Sequence, residues 1–242
     1  MKRSTLLAGF GALCLIVFLL TTMPATLLGH LAQTADVELV DPTGSFWNGQ
    51  ARAIRTGGLS LQKTRWQLSP FALLTGQLRA KLDSQIPGGF IHTQLKMRPG
   101  GTVVLQDLEL TAPLQALSGM IQLPFTEGQL KLQFQRLVLE DQWPVAAVGE
   151  AIANGISLGM PGTAAARERA GFKLSFDQPE PAPKLIGTLT DIDGPVELQG
   201  TLELSPPRNY TIDARARVRP GASEEIRQGL LLLGAENAQG WR

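Results

Sequence analysis

Apolar and polar positions alternate with a period of two along most of the chain, as in strands with one face toward a core and the other toward water. Between Gln129 and Leu139 the apolar positions are Leu130, Leu132 and Phe134, then Leu137 and Leu139. The phase slips once after Phe134, as a bulge would make it. Val104, Leu108 and Leu110 alternate less cleanly between Thr102 and Thr111. Phe172, Leu174 and Phe176 repeat the pattern, as do Leu185, Gly187 and Leu189. Val196, Leu198, Gly200, Leu202 and Leu204 alternate strictly. Tyr210, Ile212, Ala214 and Ala216 resume the period after the turn Ser205-Pro206-Pro207-Arg208-Asn209. Arg98-Pro99-Gly100-Gly101 and Asp191-Ile192-Asp193-Gly194-Pro195 have turn chemistry, and the run Gln178 to Pro183 reads as a stiff turn between hairpins. The expected fold is mainly β: a curved, twisted antiparallel sheet of successive hairpins, open and not closed into a barrel.

Helical patterns are few. Pro70 to Leu74 and Pro113 to Leu117 are each long enough for one turn. Pro144 to Ile152 reads as a short helix with proline at its first position. Thr163 to Ala170 fits either a short helix or a loop. The strongest helix begins after Ser223, a candidate cap, with Glu224 and Glu225 at the positive end of the dipole. Ile226, Leu230 and Leu233 form its apolar stripe, and Gly234 ends it.

The N-terminus follows a different rule. Lys2 and Arg3 precede an uncharged stretch, Leu6 to Met23, which Pro24 closes. As a helix this stretch would span about 27 Å, close to the hydrocarbon thickness of a bilayer. The cations before it favour a short cytoplasmic tail with the rest of the chain across the membrane. A cleaved secretory signal would have a shorter apolar region and a small-x-small site; here Leu27 and Leu28 stand where that site should be. The expected organisation is therefore a cytoplasmic tail over 1–5, one transmembrane anchor over 6–23 and an extracytoplasmic β domain over 24–242.

Composition narrows the function classes. Cys14 is the single cysteine and lies in the anchor, so the β domain has no disulfide and no thiolate metal site. The formal net charge of +1 over 242 residues, with no Lys/Arg cluster, gives a nucleic-acid partner no electrostatic support. His30 and His92 are the two histidines, and neither stands in metal-ligand spacing. There is no nucleophile-elbow serine or phosphate-binding loop; Gly155, Gly159 and Gly162 read as a flexible turn. The pairs Glu140/Asp141 and Asp191/Asp193 fall at apparent strand ends, where solvated carboxylates are the ordinary reading. No catalytic residue, cofactor or metal is expected.

Two aromatic motifs are more specific. The first is Gly44-Ser45-Phe46-Trp47-Asn48-Gly49-Gln50-Ala51. The second runs from Trp66 through Leu68, Pro70 and Leu73 to Gly76 and Leu78. Trp47 and Trp66 read as core anchors of the first hairpins, with glycines where the backbone bends. In their order and spacing these motifs resemble protein N of the type II (general) secretion pathway, and the segments Gly200 to Leu204 and Leu230 to Gly234 agree. The resemblance spans essentially the whole chain. It implies a single-pass protein of the bacterial inner membrane with a periplasmic domain. Its implied role is structural, as an accessory component among other secretion subunits of the inner membrane and periplasm, in a machine that exports folded proteins. It supplies no catalytic residues.

A more distant resemblance to the AsmA-like envelope proteins implies a rival role, a β-sheet groove that binds or conducts lipid. Leu130, Leu132, Phe134, Leu198, Leu202 and Leu204 would then line the groove. The anchor reading has a direct test. Intact-mass measurement of the membrane form should retain Met1 to Met23, apart from a formyl group or the initiator methionine. A mature N-terminus near Ala32 would replace the anchor with a cleaved signal.

Overall fold

The alternating segments become neighbouring strands of one sheet. The computed structural model describes residues 22–33, 37–56, 59–73, 75–117, 127–159, 163, 165–231 and 241. The anchor expected over 6–23 lies outside them except for Thr22 and Met23, and no helix among the described residues is long and apolar enough to cross a membrane. The first strands are β1 (Val37–Val40), β2 (Thr43–Gly44), β3 (Asn48–Thr56) and β4 (Leu59–Leu68). Next come β5 (Leu78–Ile86), β6 (Gly89–Met97), β7 (Val103–Pro113) and β8 (Gln129–Glu140). Then follow β9 (Trp143–Ser157), β10 (Arg169–Gln178), β11 (Leu185–Asp193), β12 (Val196–Ser205) and β13 (Asn209–Val218). All pair antiparallel in chain order, with β1 and β2 both against β3. The result is one open sheet of 13 strands, with β1 and β13 at its two ends.

Register carries one apolar face across the sheet. Ser84, Ile91, Leu110, Leu132, Ala151, Leu174, Leu189, Gly200 and Ala214 stand opposite one another from β5 to β13. The neighbouring row is Leu108, Phe134, Gly149, Phe176, Gly187, Leu202 and Ile212. Large and small residues alternate along it. A Cβ at Gly149 would lie 2.9 Å from Phe134 Cδ1, and one at Gly187 would lie 2.6 Å from Phe176 Cε1. Each ring therefore occupies the space above a glycine on the adjoining strand. Phe134 and Phe176 themselves approach to 6.2 Å between centroids, inside a cluster with Leu108, Ala147 and Leu185.

The phase slip after Phe134 is a register shift between Phe134 and Arg136. Asp107 lies within the strand at φ 48, which accounts for the irregular alternation of β7. These kinks return later apolar residues to the face that earlier ones occupy, so Leu105 and Leu137 join the cluster of Leu108 and Phe134.

The helix expected over Pro144 to Ile152 is instead part of β9. Its alanines favour a helix in isolation, but the segment has a partner strand on both sides. Gly149, Ala151 and Ala153 stand between Phe134, Leu132 and Leu130 on β8 and Phe176, Leu174 and Phe172 on β10. Small side chains are what that position allows.

Short helices cover parts of the apolar face. Ala25 and Leu28 of α1 (Ala25–Gln33) pack with Ala51 and Trp66. α2 (Pro70–Leu73) and α3 (Leu114–Leu117) are single turns, as expected; Leu117 packs with Leu61, Ile86 and Ala112. Residues 165–167 form a 3-10 turn within the ambiguous segment. Ile226 of α4 (Glu224–Leu231) is buried against Val196 and Ala216. Ser223 does not cap α4 with its hydroxyl, whose oxygen is buried without a partner among the described residues. The Ser223 N–H donates to Glu168 Oε1 at 2.9 Å instead, and Glu225 Oε2 accepts from Ala165 N–H at 2.8 Å. One distant carboxylate, that of Glu168, thus takes the N–H before the helix, and the helix's own Glu225 ties its first turn to the Ala165 segment. Leu233 and Gly234, assigned to its end, lie outside the described residues.

Gly187→Ala should destabilise the full chain by about 1–3 kcal/mol, because the added methyl overpacks against a buried ring. Adding Phe176→Leu should recover part of the loss. Thermal unfolding measures both; an unchanged midpoint for Gly187→Ala would contradict the ring-over-glycine packing.

Candidate functional site

The two aromatic motifs meet at the N-terminal end of the sheet. Gly44 in β2 has φ 90, a conformation that disfavours side chains, and pairs with Gly49 in β3. Between them Ser45 N–H donates to Asn48 O at 3.0 Å, and Asn48 N–H donates to Ser45 Oγ at 3.0 Å. This tight turn presents Phe46 and Trp47, whose rings stand edge-to-face with centroids 5.1 Å apart. Trp66 lies directly opposite Gly49, where a Cβ would come within 2.4 Å of its ring. Its indole Nε1–H donates to Phe46 O at 3.0 Å. Trp66 is only 4% exposed, whereas Trp47 is half-buried and its carbonyl accepts from Leu68 N–H at 2.6 Å.

The turn also holds the incoming chain. Phe46 N–H donates to Met23 O at 2.8 Å, and Pro24 forms a bridge with Ser45. The second motif builds the β4–β5 connection. Exposed Pro70 opens α2, with φ preset for a helix. Gly76 closes the connection at φ 69, its N–H donating to Leu73 O at 2.9 Å. Gly44, Gly49, Trp66, Pro70 and Gly76 thus occupy positions that the backbone or the packing demands.

The six apolar residues assigned to a groove share one sheet face, but not one pocket. Leu132, Phe134, Leu202 and Leu204 belong to the cluster around Leu108 and Phe176. Leu130 packs beside Leu117 of α3. Leu198 lines a cavity of about 500 Å³ beneath α4, together with Leu158, Phe172, Val196, Ile226 and Leu230. The cavity is overwhelmingly apolar, and Glu225 is the charged residue on its wall.

Polar candidates scatter over the opposite face and the turns. His92 pairs with Asp83 across β5 and β6, and both are substantially exposed. Glu140 ends β8, and Asp141, at φ 50, lies in the turn to β9. The His30 side chain lies outside the described ones. No group of three or more His, Cys, Asp or Glu among the described residues could hold a metal ion.

Asp191 departs from the solvated-turn reading. Its side chain is 7% exposed, accepts from Arg219 Nη2 at 2.5 Å and accepts from Leu198 N–H at 2.8 Å. It ties the β11–β12 connection to the segment after β13. Its sequence context, a turn rich in Asp and Gly, resembles that of the exposed Asp193 and offers no means of telling the two apart. Sequence reading also passed over the buried pair of hydroxyls, Thr64 Oγ1 and Ser84 Oγ, 2.8 Å apart within the apolar face.

Residues 35–242 match the family described as type II secretion system (T2SS), protein N. The chain belongs to that family. It is 27% identical to the type II secretion system protein N of Aeromonas hydrophila over 252 residues, covering 99% of this chain and 96% of that protein. No solved structure matches. Both aromatic motifs fall within the matched span of this protein N family member, as do all 13 strands.

Trp66→Ala should destabilise the domain by about 3–5 kcal/mol, the usual cost of emptying a buried aromatic site. Trp47→Ala should cost less, because its ring is only half-buried. Denaturant unfolding of the two variants gives the order, and equal losses would contradict it.

Proposed function

We propose that this protein is an accessory, non-catalytic component of a type II secretion system, held at the inner membrane by residues 6–23 with its sheet in the periplasm. Family membership over nearly the whole β domain carries the reading. The fold supports it: a single extended sheet presents long polar surface and strand edges to other components of the machine. Under this proposal its work is contact with other subunits of the inner membrane and periplasm, and it takes no cofactor.

Secretion assays in cells lacking the native copy test the role. His92→Ala, Glu140→Ala, Asp141→Asn and Asp193→Asn should each leave export nearly normal, since exposed polar substitutions usually change stability by within about 0.5 kcal/mol. Asp191→Ala belongs to another class and should destabilise the domain. Leu202→Asp should abolish export by placing an unpaired charge on the apolar face. Loss of export from one of the first four, in a normally folded and abundant protein, would point to an active site around that residue.

The cavity beneath α4 favours a second reading. Its size and apolar walls suit a hydrocarbon chain, so the domain would bind lipid there. Mass spectrometry of the purified full chain should then detect co-purifying lipid that Gly229→Trp, adding bulk at a residue that lines the cavity, displaces. A lipid-free preparation from native membranes would remove this reading and leave the first intact.

A further inference from the structure

The two edges of the sheet are built differently. β1 is four residues long, Asp41 and Pro42 interrupt the edge before β2, and α1 packs beside it. β13 is ten residues long and stays in unbroken register with β12 through ten consecutive pairs. It has no proline and no bulge, and its outer edge has no strand partner among the described residues. Proteins normally shorten, kink or cover such an edge, because its free N–H and C=O groups form a template for another strand.

Side chains on β13 specify what that strand would be. On the apolar face, Tyr210 is 69% and Ile212 56% exposed, at the outer end of rows that are otherwise packed. On the polar face, Arg217 is already paired with Glu197 at 2.6 Å, and Arg215 reaches only the amide of Gln199 at 3.1 Å in a hydrogen bond. Trp241 lies over both guanidinium groups. Asp213, between Thr211 and Arg215, makes no ion pair among the described residues.

We propose that β13 pairs antiparallel with β13 of a second copy of this chain, about a two-fold axis at Ala214. This register sets Asp213 of each copy opposite Arg215 of the other, giving two symmetric ion pairs on the polar face. On the apolar face it sets Ile212 opposite Ala216 and Tyr210 opposite Val218, so the exposed Tyr210 and Ile212 of each copy come to lie beside the end of the other that α4 already covers. Neighbouring registers are worse. Centring on Asp213 or Arg215 opposes that residue to its own copy, and centring on Ala216 opposes Arg215 to Arg217. Centring on Ile212 sets Asp213 against Thr211 and loses both ion pairs. A two-fold interface is self-complementary by construction, and β13 has that property about one residue.

Disulfide trapping of the full-length chain in membranes, with Cys14→Ser as background, tests the register. Directly opposed residues have Cβ atoms about 4.5–5.5 Å apart, within reach of a disulfide. Ala214→Cys should therefore give a covalent dimer on oxidation. Ile212→Cys should not, because its copy lies opposite residue 216, about 13 Å away along the strand. Combining Ile212→Cys with Ala216→Cys should restore the dimer. In the Ala214→Cys protein, Asp213→Arg should lower trapping by about tenfold through like charges, and the added Arg215→Asp should restore it. That restoration separates loss of pairing from loss of folding. A monomeric Ala214→Cys protein with a reactive thiol, equal trapping at 212 and 214, or failure of the charge swap to restore the dimer would each overturn the proposal.

Discussion

No second sheet covers the apolar face of this protein among the described residues, and the rest of the structure follows from that constraint. The face must be buried within its own layer, by side chains leaning over neighbouring strands, and under a few short helices. A ring can lean across only if the strand beside it is bare at that point. Gly149 beneath Phe134, Gly187 beneath Phe176 and Gly49 beneath Trp66 are three instances of one solution. It also explains why β9 is built from alanine and glycine: it runs between two strands of leucine and phenylalanine. The glycines that weaken a strand by entropy strengthen this sheet by packing.

Much of this was legible in the residues. Strict alternation placed β10 to β13, and even the bulge after Phe134 showed as a slip of phase. What failed to show shares one cause, dependence on a distant partner. Alanine-rich β9 reads as a helix until its neighbours are known. Ser223 has the composition of a cap, yet Glu168, far away in sequence, takes its N–H. Asp191 looks like a turn carboxylate, and only the position of Arg219 after the last strand makes it a buried one. Local pattern reports local energetics, and this strand and these two residues answer to long-range contacts.

The aromatic motifs show how a family pattern can be read physically. Trp66 needs Gly49 for room and Phe46 O for its indole proton; the Phe46 N–H in turn holds Met23 O. The motif joins the first hairpin to the point where the chain leaves residue 23. Under the anchoring proposed for residues 6–23, any pull on the chain would pass through that junction, and a buried indole with its hydrogen bond satisfied is a stiff place to receive it. On the polar side, Asp107, Glu109, Glu150 and Asp177 line a shallow pocket with Gln133 and Gln135, but no such group among the described residues could hold a metal ion.

The strictly sequential strand order has a consequence for folding. Because each strand pairs with those next to it in the chain, most pairings span short loops, and few require distant segments to meet before any contact forms. In this respect the sheet resembles a repeat array: its stability is close to a sum of neighbour couplings, and order can spread from any well-formed hairpin. Contact order stays low for an all-β protein of this size, which favours fast formation. The same arithmetic makes the ends the weakest links, since a terminal strand is held from one side only. Growth of the sheet in one direction, strand after strand from the N-terminus, matches the order in which the chain is synthesised, so each new hairpin finds its template already in place.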